Sequence, residues 1–194
     1  MSKISLTPNA SGTGTLTIAA PNTSTDRTIT LPDETGSIIT TGSSGKVIPS
    51  AALPAGSVVQ VINTTQNGSS QNTTSTTLQA SGFYVDITPT SASNKIYVTA
   101  TFAGRIAWSA NSAGGVYTIK RDGTTNLLDQ SDGQLLYTVN SLSVMHSPIT
   151  LQGFDSPATT SSTRYEIYYK AFANATAGME NWGKVVITAM EIAA

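Results

Sequence analysis

The side chains that could perform chemistry are few, and their spacing is unfavourable for catalysis. His146 is the single histidine, in the segment SVMHSPITLQG, and a Ser-His-Asp triad would need it. No G-x-S-x-G motif supplies a nucleophilic serine. Alternation along a strand places His146 on the face opposite Ser143, Met145 and Ser147. We therefore interpret His146 as a surface or interface residue.

Metal and cofactor sites have little support in the sequence. One histidine and no cysteine leave only oxygen ligands. The glycines of Gly42 to Gly45 are spaced more closely than those of a phosphate-binding loop, and Val47 stands where that loop has Ser or Thr. Eleven acidic residues leave room for a glycosidase pair on composition alone, but we predict no cofactor, no metal and no enzymatic activity. Four aspartates expected in turns lack the spacing of a calcium loop: Asp122, Asp129, Asp132 and Asp155.

Two tryptophans are the best candidates for ligand binding. Trp108 is expected where a strand ends, in AWSANSAGG, and Trp182 follows Asn181 in a glycine-containing loop before the last strand. An aromatic ring beside Asn and Ser side chains can bind a sugar ring, and loops on a rigid sandwich commonly carry binding sites. The receptor-binding candidates are therefore Trp108, Asn181 and Trp182. The alternative for each tryptophan is packing on the core or on another subunit.

The composition indicates a β-protein with polar, uncharged surfaces. Charged residues are 11% of the 194 residues, where about 25% is usual. Recurrent β-branched and aromatic runs distinguish the chain from a disordered one. The net charge of −1 argues against nucleic acid as a partner. No apolar run approaches the roughly 20 residues of a membrane helix or the length of a signal peptide, so we expect no membrane insertion and folding in a cytoplasm.

Three regions can be distinguished along the chain. Residues 1–40 contain short alternating stretches between Pro-Asn and Pro-Asp turns, which predict a slender β-stem whose small apolar faces need partners. Residues 41–56 have the composition of a linker. Residues 57–194 contain strand-like runs between turn clusters, which is typical of a sandwich or jelly roll. The expected strands are about 57–64, 74–79, 83–88, 95–107, 115–121, 125–128, 134–139, 143–152, 163–173 and 184–192.

Alternation predicts the faces of two of these strands. In the strand at 95–107, the core face contains Ile96, Val98, Ala100 and Phe102, and the polar face contains Tyr97, Thr99 and Thr101. The strand at 163–173 is likewise half-buried, with Tyr165, Ile167, Tyr169 and Ala171 opposite Arg164, Glu166, Tyr168 and Lys170.

The first and last strands of the C-terminal region are apolar on both predicted faces. Alternation places Val58 and Ile62 on one face of the first strand, opposite Val59 and Val61. A strand buried on both faces of a two-layer sandwich needs a third layer, and another subunit would supply it. The alternative is that the linker or the N-terminal arm covers this sheet. The predicted subunit-interface residues are Val58, Ile62, Tyr168, Val186, Met190 and Ile192.

Two parts of the chain resemble bacteriophage appendage proteins. GTGTLTIAAPNTSTDRTITLPDETGSIIT, within residues 12–41, resembles a strand module of tail fibres of tailed bacteriophages, where APxxxxxRTxTLPDxTG recurs. The strings PAGSVVQV and ITAMEI, in residues 54–194, resemble the start and the end of a C-terminal knob in such proteins. That knob is similar to the trimeric jelly rolls of the C1q and tumour-necrosis-factor class.

The resemblance implies a homotrimer whose first and last knob strands pair in an inner sheet facing the threefold axis. We therefore expect an all-β fold, with a short N-terminal β-stem followed by an antiparallel jelly-roll β-sandwich. The implied function is that of a virion fibre or spike that attaches to a host-surface glycan or protein, with other virion proteins bound by the N-terminal segment. A capsid-attached fibre or decoration protein is the main alternative, and a capsule-degrading hydrolase is a further one.

Overall fold

The computed structural model divides the chain into two compact units, Met1–Thr41 and Gly42–Ala194. It describes residues 10–15, 17, 22–26, 28, 53–67, 69–128, 133–138, 144–180 and 183–194. In the first unit, a turn lies at residues 10–11, and the Thr25 amide donates a 3.1 Å hydrogen bond to the Thr23 hydroxyl. The predicted stem strands and the linker fall largely outside the described residues.

The described residues of the second unit form antiparallel strands and no helix, which confirms the predicted all-β class. Runs of β-branched and aromatic residues build the long strands, since such side chains suit a pleated, half-buried surface. The nine strands are β1 (Val58–Asn67), β2 (Gln71–Thr73), β3 (Gln79–Ile87), β4 (Lys95–Arg121), β5 (Thr125–Asn126), β6 (Gln134–Thr138), β7 (Val144–Asp155), β8 (Thr163–Met179) and β9 (Lys184–Ile192).

The strands form the two layers of a jelly-roll sandwich. The first layer has the order β1-β9-β4-β7 and uses the N-terminal part of β4. The second layer has the order β3-β8-β4-β6 and uses the C-terminal part of β4, with β5 beside β4 and β2 at the end of β8. Because β4 and β8 stay paired as they pass between the layers, hydrogen bonding is continuous through all nine strands.

Three of the predicted strands differ from the observed ones. The runs expected at 95–107 and 115–121 are one strand, β4, which stays paired with β8 across an irregularity between Trp108 and Ala113. The run expected at 74–79 is a loop up to Gln79, and β2 precedes it. In this loop the amides of Ser75 and Thr77 bond to nearby hydroxyl groups, each at 3.1 Å. Such local bonds compete with pairing in a sheet.

The core lies between the layers and follows the predicted alternation of two strands. Ile96, Val98, Ala100 and Phe102 turn inward from β4, as predicted. Tyr165, Ile167, Tyr169 and Ala171 of β8 are likewise buried. Across the core, the rings of Phe102 and Tyr117 lie with their centroids 5.5 Å apart. In both strands, period-two alternation was enough to predict which face turns inward.

The first and last strands, β1 and β9, pair with each other as the resemblance implies. Val58 lies opposite Ile192 and Val61 opposite Met190, with a register shift between Val58 and Gln60. Directly opposed residues of an antiparallel pair share a face, so Val58 and Val61 both lie on the outer face. Ile62, opposite buried Ala189, lies on the inner face. The prediction that Val58 and Ile62 share a face is wrong, because a bulge breaks the alternation.

Candidate functional site

An apolar row crosses the outer face of the first layer. The register places Val61 opposite Met190, Met190 opposite Tyr97, and Tyr97 opposite Phe154. Val61 is 51% exposed and Phe154 is 65% exposed. The ring centroids of Tyr97 and Phe154 are 4.8 Å apart. Val58 and Ile192, which lie opposite each other in β1 and β9, adjoin this row. We define the apolar row as Val58, Val61, Tyr97, Phe154, Met190 and Ile192.

The adjoining part of this outer face is polar but carries no charge. The next two rows across the strands contain only Thr, Asn, Gln and Val side chains: Asn63, Thr188, Thr99 and Gln152, then Thr65, Val186, Thr101 and Thr150. The Asn63 amide donates a 2.8 Å hydrogen bond to the Thr188 hydroxyl. The Tyr97 hydroxyl donates one of 2.8 Å to the Gln152 side chain. On this outer face, as far as the structure describes it, the lysines are Lys95 and Lys184, at the two ends of the central strands.

The outer face of the second layer carries charged side chains among tyrosines. Arg164 forms an ion pair of 2.9 Å with Asp86, and its guanidinium lies 3.6 Å from the centroid of the Tyr84 ring. The Lys120 ammonium lies 5.1 Å from the centroid of the Tyr168 ring. Mixed charges of this kind are typical of a surface that faces water. The two outer faces of the sandwich therefore differ in charge.

The structure brings together four of the six predicted interface residues. Val58, Val186, Met190 and Ile192 lie on the outer face of the first layer. Ile62 is on the inner face of the edge strand β1 and is 37% exposed. Tyr168 lies on the outer face of the second layer, apart from the others.

Sequence reasoning missed three members of the apolar row. Val61 was placed on the wrong face because the bulge in β1 was not foreseen. Tyr97 was assigned to a polar face, and Phe154 lies beyond the predicted end of its strand. Pairing of their strands in the sheet makes them neighbours, and the local sequence carries no signal for that pairing.

Of the receptor-binding candidates, Asn181 and Trp182 lie outside the described residues. Trp108 is part of β4 and not of a loop, and its backbone lies opposite Ala175 at the irregularity of that strand. Its side chain is also outside the described part. Near this irregularity, the structure exposes a different aromatic pair, Tyr137 and Phe172, which are 43% and 44% exposed.

His146 lies on the face opposite Ile149, as predicted, and lines an open cavity of about 310 Å³. Lys184 contributes the second basic side chain to this cavity. The other lining residues are Thr101, Phe102, Ala103, Ser147 and Pro148. No acidic residue is among them, so the cavity holds no carboxylate partner for a catalytic histidine.

The partly buried carboxylates bind donors of the protein itself. Asp155 ends β7 and is not in a turn, contrary to the prediction. It accepts 2.8 Å hydrogen bonds from the Arg121 guanidinium and the Tyr165 hydroxyl. Burial raises the pKa of Tyr165, and the hydrogen bond to Asp155 raises it further. Glu180 pairs with Arg105 at 2.9 Å and accepts a hydrogen bond of the same length from Ser70. These contacts are those of structural pairs.

Among the residues that the structure describes, no three His, Asp or Glu side chains come together as a metal site would require. The same residues include no helix long and apolar enough to cross a membrane. By fold, the second unit belongs to the antiparallel jelly-roll sandwiches. No protein-family model matches the chain, and a search of the curated proteins finds no similar protein.

Proposed function

We propose that this protein is a structural and adhesive appendage of a bacteriophage virion, a fibre or spike in which three knobs associate through the outer face of their first layers. The resemblance of residues 12–41 to tail-fibre modules supports the virion assignment. The main support for the proposed association is the difference in charge between the two outer faces of the sandwich.

The outer face of the first layer has the properties of a subunit interface. The centres of protein interfaces are depleted in charge and enriched in Tyr, Phe and Met, and the apolar row contains all three residue types. Four adjacent strands span about 15 Å, so the row is a contiguous apolar patch, and such patches mark interaction sites. Lys95 and Lys184 at the ends of this face would lie at the solvated rim.

A further copy of the chain is the occupant that this surface fits. Two uncharged faces can meet without burying an unpaired charge, which would cost several kcal/mol (about 3 to 5). Cyclic symmetry would also close the assembly and limit further pairing at the edge strand β1. We choose three copies because the knob resembles trimeric jelly rolls.

Light scattering on the full chain tests the assembly. We expect a native mass three times the 20.1 kDa of one chain. Val61→Asp and Phe154→Asp introduce a charge into the apolar row and should convert the protein to monomers. Ala80→Asp is the matched control, because Ala80 is exposed in β3 on the outer face of the second layer. A wild-type mass of 20.1 kDa would contradict the proposal and favour cover by the chain's own N-terminal arm.

Two further experiments address the other functions. Immunogold labelling of intact virions distinguishes a tail fibre from a capsid-attached fibre or decoration protein. A reducing-sugar assay on capsular polysaccharide tests for a hydrolase, for which we expect no product. Release of reducing ends by the purified chain would contradict a purely adhesive function.

A further inference from the structure

Two exposed aromatic rings meet above a glycine on the outer face of the second layer. Gly114 in β4 lies opposite Tyr137 of β6 on one side and Phe172 of β8 on the other. Strands on either side of a central one are about 9.6 Å apart, yet the two ring centroids are 6.0 Å apart, in an edge-to-face arrangement. The rings therefore lean toward each other over Gly114, which has no side chain in the way. We call Tyr137, Gly114 and Phe172 the aromatic platform.

The platform rests on well-packed strands. Val116, the next residue of β4 on the same face, is 3% exposed. On the inner face below, Ile106, Ala113 and Ala175 form a small apolar cluster with Leu136 and Met145. An edge-to-face contact is favourable for aromatic rings, so each ring restricts the other. A ligand would meet a surface that is already ordered, which lowers the entropic cost of binding.

The backbone departs from regular strand geometry on two strands beside the platform. The pairing of β4 with β8 is irregular between Trp108 and Ala113, directly before Gly114. In β8, Ala173 follows Phe172 and has a φ of +57°, in the left-handed region that non-glycine residues rarely occupy. Irregularities of this kind commonly occur next to functional sites.

The surroundings restrict the chemistry of the ligand. The platform consists of two rings, far less than the roughly 800 Å² that a stable protein partner buries on each side, but large enough for one sugar ring. In the rows of Gly114 and Val116, as far as the structure describes them, Lys170 is the charged residue.

We propose that the aromatic platform binds a neutral pyranose of a surface glycan by stacking on a C–H face of the sugar. This inference deepens the proposed adhesive function, on which it rests, by assigning the ligand class and the contact residues. Repetition of the site in an assembly would raise the avidity for a polymeric glycan without any new contact.

Saturation-transfer NMR on the full chain tests the inference with monosaccharide probes. The neutral probes are the methyl glycosides of glucose, galactose, mannose, N-acetylglucosamine and N-acetylgalactosamine, and methyl glucuronide is the acidic probe. We expect transfer to the C–H protons of at least one neutral probe. Phe172→Ala and Tyr137→Ala should weaken its binding by about tenfold or more, or about 1.4 kcal/mol. Phe172→Leu keeps an apolar side chain without the ring and should show the same loss.

Phe154→Ala is the matched control, because it removes an exposed aromatic ring from the other outer face. It should leave binding of the neutral probe unchanged while lowering the native mass. Phe172→Ala should weaken binding of the neutral probe and leave the native mass unchanged. The inference would be overturned, even if the protein is a trimer, if the wild type binds no neutral probe. It would also be overturned if Phe172→Ala and Tyr137→Ala both bind the probe as tightly as the wild type. A monomer that binds through the platform would overturn the proposed assembly alone.

Discussion

The side-chain amide of Asn94 donates a 2.7 Å hydrogen bond to the carboxylate of Glu191, which is completely buried. Gln60 donates a second bond of 2.6 Å, and Thr90 donates two more through its amide and its hydroxyl, at 2.7 and 2.9 Å. The side-chain carbonyl of Asn94 accepts a hydrogen bond from the backbone amide of Ala194. The carboxylate thus joins β1, β9 and the loop between β3 and β4 through neutral donors.

Replacement of Glu191 should reduce both the stability and its dependence on acid pH. Burial by itself raises the pKa of Glu191, but the hydrogen bonds from Asn94, Gln60 and Thr90 outweigh it, and the pKa falls below the ordinary 4.5. The carboxylate therefore stabilises the fold fully above the unfolded-state pKa, and this contribution is lost as the pH falls through the lower folded-state pKa. In Glu191→Gln, an amide NH₂ group replaces a carboxylate oxygen and faces the hydrogen-bond donors of Asn94, Gln60 or Thr90. This loss of an acceptor should lower the free energy of unfolding by about 2 kcal/mol at neutral pH.

Urea unfolding at a series of pH values measures both effects. The wild type should lose more unfolding free energy than Glu191→Gln as the pH falls below about 4.5. Lys184→Gln, at an exposed position of the same strand, should stay within about 0.5 kcal/mol of the wild type. Equal acid sensitivity of the wild type and Glu191→Gln would contradict the prediction.

Asp155 and Tyr165 should be energetically coupled. Tyr165→Phe removes one hydrogen bond to the Asp155 carboxylate, which keeps its bonds from Arg121. The change should cost about 1 to 2 kcal/mol in the wild type, because hydrogen bonds to charged groups are strong. In an Asp155→Ala background the same change should cost almost nothing. A double-mutant cycle by urea denaturation measures this coupling. The exposed pair of Arg164 and Asp86 is the control and should couple much more weakly. Additive effects at Asp155 and Tyr165 would contradict the prediction.

Alkaline pH should destabilise the fold through Tyr117. Burial raises the pKa of Tyr117 to about 12, and the neutral hydroxyl donates hydrogen bonds to the carbonyl groups of Gly178 and Arg105, at 2.8 and 2.9 Å. Since the folded-state pKa is raised, the contribution is complete below the unfolded-state value of about 10 and is lost as the pH rises through the folded-state pKa. Unfolding free energies above pH 10 should therefore decline less steeply for Tyr117→Phe. The same slope in both proteins would show that another group controls alkaline unfolding.

Gly178 should tolerate no side chain. It lies opposite Asn72 in the pairing of β2 with β8, and a Cβ atom at this position would overlap the carbonyl oxygen of Gln71. Gly178→Ala should therefore displace β2 and cost about 1 to 3 kcal/mol, as overpacking does. Hydrogen exchange of the Gln71–Thr73 amides should also become faster. At Gly183 a Cβ would meet no atom within 4 Å, so Gly183→Ala should keep wild-type exchange and stability.

Local sequence was sufficient where alternation is strict, as in Ile96 to Phe102 and Tyr165 to Ala171. It failed at Val58 to Ile62, because the bulge in β1 changes which residues share a face. It also failed at Asp155, which was expected in a turn and instead ends β7, where it binds Arg121 and Tyr165 from other strands. Each failure depends on a partner strand, and a single strand's pattern contains no information about its partner.

The sequence by itself determined the all-β class, the inward faces of β4 and β8, and the low charge. These properties follow from side-chain types and period-two alternation, which are local. Only the tertiary structure decided that Val61, Met190, Tyr97 and Phe154 form one row, and that Tyr137 and Phe172 meet over Gly114. These neighbours come from strands far apart in the chain. The register of the strands, set by packing of the whole core and by bulges, brings them together.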